Sequence, residues 1–78
     1  MKRSDFQDTE RFKHVGTVYI SSVFVPNHGS PEVDVFLEKS TGTAYQVFKE
    51  QYGELFRKSA DKPGPSGLHP YEEWLRLS

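Results

Sequence analysis

Cysteine is absent from the 78 residues, which excludes a disulfide framework and any thiolate-ligated metal site. Long hydrophobic runs are missing too: the longest resemble Val23-Phe24-Val25, far short of the roughly 20 apolar residues of a membrane-spanning helix. Lys2 and Arg3 have no apolar stretch behind them, so the start does not read as a secretory signal, and the cytoplasm is the expected compartment. Neither sign of charge dominates. Ten basic and eleven acidic residues leave a net charge of −1, with no strong field to draw in nucleic acid or an anionic membrane. Hydrophobic residues make up only 35%, so the core of this single small domain is expected to be thin and its stability marginal. Aromatics partly compensate: six Phe, four Tyr and one Trp each bring roughly 150–250 Å² of buriable area.

Residues 1–14 read as a polar N-terminal arm or a short helix, with Ser4 or Asp5 as its cap. Residues 15–25 form the clearest strand, rich in Val, Ile, Thr, Tyr and Phe. The stretch Pro26-Asn27-His28-Gly29-Ser30-Pro31 ends it, and residues 32–38 alternate again with Val33, Val35 and Leu37 inward. Residues 43–60 admit two readings. One is a hairpin turn at 39–42 with Gly42 left-handed, followed by a third strand with Tyr45 and Val47 on one face. The other is an amphipathic helix, because Ala44, Val47, Phe48, Tyr52, Leu55 and Phe56 recur at spacings of three and four. The helix is preferred, since six positions match its period. Residues 61–70 hold three prolines and two glycines and read as a linker. Beyond it, residues 71–78 read as a short C-terminal helix with Tyr71, Trp74 and Leu75 on one face.

The expected fold is therefore α+β: an antiparallel sheet of two or three strands within an α+β core over 15–60, packed by one main helix, plus the short C-terminal helix. The expected core is Val18, Ile20, Val33, Val35, Leu37, Val47, Phe48, Tyr52, Leu55 and Phe56.

Chemistry-bearing patterns are sparse. His14, His28 and His69 stand at no i, i+3 or i, i+4 spacing, so no metal pair is visible. Ser40-Thr41-Gly42-Thr43 reads as a turn or cap rather than an anion nest. Glu72 and Glu73, adjacent on the expected helix, point about 100° apart, which is poor geometry for paired acid–base work. No catalytic residue, metal ligand or cofactor is expected. Basic residues are scattered among acidic ones, and a nucleic-acid interface using the sheet face and the N-terminal Lys2, Arg3, Arg11 and Lys13 is the second choice. The first is a non-catalytic protein-binding module, a regulator or inhibitor that blocks a partner's surface, the partner being another protein or a second copy of the chain. Tyr19, Phe24, Tyr71, Trp74 and Leu75 are its candidate contacts, because aromatics are the residues that interfaces enrich.

Overall fold

A computed structural model describes residues 1–21, 23–58 and 74–78. Its centre is one five-stranded sheet, β1 (Phe12–Tyr19), β2 (Glu32–Glu38), β3 (Ala44–Phe48), β4 (Leu55–Lys58) and β5 (Leu75–Arg76). The strands follow one another in sequence order, and every neighbouring pair is antiparallel. Short 3₁₀ turns at Arg3–Gln7 and Glu50–Tyr52 are the only helical elements among the described residues. No helix there is long and apolar enough to cross a membrane.

The expected α+β fold is therefore corrected to a mostly β architecture. The helix expected over 43–60 is replaced, as far as Lys58, by β3, a 3₁₀ turn and β4, and residues 59–60 lie outside the described residues. The reason lies in β3, whose residues Tyr45, Gln46, Val47 and Phe48 are all buried. A strand covered on both faces loses its period-two signature, and its apolar positions then fall by chance on a helical stripe with those of β4. Gly53 rules the helix out, since its φ of 136° and ψ of −172° lie in a region that glycine alone readily enters. Leu55 and Phe56, adjacent on the expected helical stripe, point to opposite faces of β4 and join separate clusters.

Two other boundaries move. The strand expected over 15–25 begins earlier, at Phe12, inside the segment taken as an arm or helix, and ends at Tyr19. At the C-terminus, Leu75–Arg76 pairs with β4 as a strand rather than continuing a helix, while residues 71–73 and the expected linker over 61–70 lie outside the described residues. Strand 32–38 matches its expected bounds. The turn between β2 and β3 takes the hairpin form: Gly42 has φ 76°, its N–H reaches the Glu38 carbonyl at 2.8 Å, and the Glu38 N–H reaches the Thr43 carbonyl at 2.9 Å.

Each sheet face has its own apolar cluster. On one, Phe12, Tyr45, Val47 and Phe56 lie beneath Phe6, with Met1, Phe36 and Leu77 at the margin. The Phe6 ring sits 4.9 Å from Phe12, 5.4 Å from Phe36, 5.5 Å from Tyr45 and 6.0 Å from Phe56. The other face gathers Ile20, Val33 and Phe48, with Val23, Val25, Tyr52, Leu55 and Trp74 around them. Of the expected core, Val18 is instead 41% exposed, because β1 is an edge strand. Phe6, Phe12 and Tyr45 are buried although the sequence had not placed them in the core.

The turn that carries Phe6 is fastened by Arg3. Its guanidinium donates to the Phe48 carbonyl at 2.5 Å, to the Gly53 carbonyl at 3.0 Å and to the Glu54 carboxylate at 3.1 Å. A fork of fixed N–H groups can serve three acceptors at once, whereas an ammonium presents a single point. Asp8 turns the chain back toward β1: its carbonyl accepts the Phe12 N–H at 2.8 Å, and its carboxylate accepts the Glu10 N–H at 3.1 Å.

The β2–β3 hairpin has its own charged anchor. Glu38, buried at the end of β2, accepts the Thr41 hydroxyl at 2.8 Å and the Arg11 Nε at 3.1 Å. The Thr41 hydrogen bond, followed by that of Arg11 and the Arg11 charge, holds the Glu38 carboxyl below its ordinary value of 4.5, against the opposing effect of burial.

Arg3→Ala is expected to lower unfolding free energy by about 2–4 kcal/mol, since hydrogen bonds to a charged group contribute about 1.5–3 kcal/mol each and do not add fully. Arg3→Lys should recover only part, and urea denaturation measures both. For Glu38 the folded carboxyl titrates lower than the unfolded one. Its stabilisation is therefore complete above the ordinary value and drains away as pH falls through the folded value. Glu38→Gln is expected to flatten this acid-side decline, read as urea midpoints at about pH 7, 4.5 and 3.

Candidate functional site

The connection from β1 to β2 is tied down at several of its described residues. The Ile20 N–H reaches the Pro31 carbonyl at 3.0 Å and closes the base of the connection. Val25 and Gly29 exchange two backbone bonds, at 2.8 and 2.9 Å, around Asn27 at φ 70°. Val23 and Val25 pack on the Ile20–Val33–Phe48 cluster. Alternation between two inward valines leaves Phe24 pointing away, 75% exposed. The His28 ring stands edge-on to Tyr52 at 5.4 Å.

Tyr19 ends β1 next to this connection and is 71% exposed. It pairs across the ladder with Glu32, whose carboxylate, as a hydrogen-bond acceptor for the protonated phenol and then as a charge, pushes the phenol above its ordinary value of 10.0. The surface of the ring stays in water.

Trp74 sits at the other side of the sheet. Its ring meets Phe48 edge-on at 4.8 Å, and the Arg57 guanidinium lies over it at 4.3 Å. Arg57 Nε also donates to Gln46 Oε1 at 2.8 Å. Trp74 is half-buried and forms part of the fold's second cluster. Leu75, on β5, is 46% exposed. Tyr71 lies outside the described residues. The candidate contacts are therefore not assembled into one patch. Tyr19 and Phe24 are joined by the β1–β2 connection, Trp74 belongs to the cluster around Phe48, and Leu75 lies on β5, at the opposite edge of the sheet from β1.

A polar cluster missed by the sequence reading centres on Asp34 of β2. Its Oδ1 accepts the Thr17 hydroxyl at 2.9 Å and lies 3.2 Å from His14 Nε2 and 3.5 Å from Lys49 Nζ. The alternation of β1 and β2 carried the signal, since His14, Thr17 and Asp34 share a sheet face once the register is known. Beside it, Arg3, Phe6, Gln7, Asp34, Phe36 and Val47 line a pocket of about 110 Å³. Thr17 donates to the carboxylate rather than to His14, so the three do not form a nucleophile held by its base. The cluster pins β1 to β2 and to the end of β3.

Among the described residues, no group of three or more His, Cys, Asp or Glu could hold a metal ion. Two cations of the second-choice interface, Arg3 and Arg11, and two other basic residues, Lys39 and Lys49, are engaged within the fold. Arg3 turns inward onto carbonyls, Arg11 pairs with Glu38, Lys39 donates to the Thr9 carbonyl at 2.6 Å, and Lys49 faces Asp34. Comparison with known proteins finds no matching family model, no matching curated protein and no matching solved structure.

These placements separate fold residues from surface residues. Trp74→Ala is expected to cost about 2–3 kcal/mol, below the range for a fully buried large-to-small change because the ring is half-exposed. Phe24→Ser should change stability by no more than about 0.5 kcal/mol, as for a surface site. Paired urea titrations distinguish the two.

Proposed function

We propose that the chain is a non-catalytic protein-binding module, a regulator or inhibitor that covers a partner's surface with the outer side of β1 and the connection over residues 20–31. The observation that carries this reading is the exposure of Tyr19 and Phe24, two large aromatic side chains held in water at 71% and 75% by an internally bonded connection. Exposed aromatics of this size at the centre of an interface are the usual energetic anchors, and a pre-ordered support lowers the entropy lost on docking. Trp74 takes a structural part in this reading, as a strut between Phe48 and Arg57. The reading sets the work in a reducing cytoplasm, which a chain without cysteine tolerates.

The test is affinity capture from host extract with the wild-type chain and with the Tyr19→Ser/Phe24→Ser double variant. A protein retained by the wild type and lost by the double variant is the expected outcome. Retention of nucleic acid alone, released steeply as salt rises, would overturn the reading in favour of phosphate binding.

A further inference from the structure

The outer side of β1 has a hydrogen-bonding pattern that can be derived from its two ends. The Lys39 N–H bonds the Arg11 carbonyl at one end, and the Ile20 N–H bonds the Pro31 carbonyl at the other. Antiparallel ladders alternate between bonded and non-bonded pairs. Counting inward along the register, Lys13, Gly16 and Val18 therefore spend their backbone groups on β2, and a one-residue shift falls between His14 and Gly16. The N–H and C=O of Thr17 and Tyr19 consequently point away from the sheet. Among the described residues nothing pairs with that side of β1.

The edge is guarded unevenly. Its first half carries Lys13, His14 and the bulge at Val15, the devices by which edges avoid pairing with other chains. The second half, Gly16-Thr17-Val18-Tyr19, has no charge, no proline and no bulge. Val18 there is 41% exposed, and Tyr19 more so.

Resting on the reading that this end of β1 is the binding surface, we infer that its partner is a second copy of the chain, paired antiparallel through residues 17–19 of both. The residues are self-complementary. Two-fold pairing about Val18 sets Thr17 opposite Tyr19 of the other copy, and Tyr19 opposite Thr17. These are two bonded pairs that satisfy four backbone bonds. Val18 then meets Val18 in the non-bonded position between them, where side chains approach most closely. The charges permit it: each Lys13 stands five residues from the axis, so the two ammonium groups are about 30 Å apart, well beyond the screening length of roughly 8–10 Å. The bulge at Val15 on one side and the turn after Ile20 on the other confine the ladder to this short stretch, which sets a small, reversible interface.

Sedimentation of the purified full chain tests this between about 10 μM and about 1 mM, together with Val18→Lys and Thr17→Pro. Val18→Lys puts a charge on the axis, while Thr17→Pro removes an outward N–H, at a place where an edge strand tolerates proline, together with the hydroxyl that Asp34 accepts. Circular dichroism checks that both variants fold. The expected result is a concentration-dependent dimer in the wild type, weakened at least about ten-fold by each folded variant. Thr17 and Tyr19 amide exchange should slow as the wild-type concentration rises. A chain that stays monomeric throughout, or a dimer indifferent to both substitutions, overturns the inference. Because the pure chain reports self-association alone, that failure leaves the capture experiment to judge the protein-binding reading separately.

Discussion

The contact of Phe6 with four other aromatic rings is what turns a bare sheet into a folded domain. A five-stranded meander presents two broad faces, and each needs a cover to exclude water from its apolar side chains. With no α-helix among the described residues, one face is covered by a single five-residue turn whose main contribution is the Phe6 ring. The ring geometry is tilted or edge-on rather than stacked, which is the arrangement that aromatic quadrupoles favour. A turn this short has little intrinsic stability. It stays in place because Arg3 spends its donors on two carbonyls and a carboxylate of the β3–β4 connection.

The second face follows a different rule. Its cover is made by chain returning from the sheet itself: Val23 and Val25 from the β1–β2 connection, Tyr52 from the second 3₁₀ turn, and Trp74. The Arg57 guanidinium over the Trp74 ring and the Phe48 edge beneath it fix that side chain from two directions. So the aromatic content that stood out in the sequence has a structural use on both faces, and only the aromatics left outside these clusters are free for other work.

What could be read in the sequence was whatever obeyed a simple period. Strand 32–38 alternates and borders a Pro/Gly turn, and it was legible to the residue. β3 was not, because burial of Tyr45 and Val47 on one face and Phe48 on the other erases alternation. The left-handed Gly42 favoured the hairpin, but the helical spacing of β3 and β4 together outweighed it. β1 was half legible: its extra residue at the bulge shifts the face of every side chain after Val15, and this defeats any pattern that assumes unbroken alternation. Phe6 and Phe12 were hidden for another reason. They are isolated in a polar segment, and only the docking of that segment reveals them as core. Composition singles out Tyr19 and Phe24 only as aromatics; their exposure comes from the fold, through an edge strand for one and an outward position between two inward valines for the other.

Sequence separation gives the Arg3 contacts a kinetic meaning. Each strand of the meander pairs with its immediate successor, so β2–β3 closes through residues 39–43 and β1–β2 through residues 20–31, both local in sequence. Arg3, by contrast, finds its carbonyl acceptors 45 and 50 residues along the chain. During synthesis these acceptors emerge well after β2, and until they do the Phe6 turn has nowhere to dock. For that interval the face carrying Phe36, and then Tyr45, remains open to other growing chains or to chaperones. Phe6 is made before each strand it covers, and it is seated only once β3 and the connection to β4 are in place.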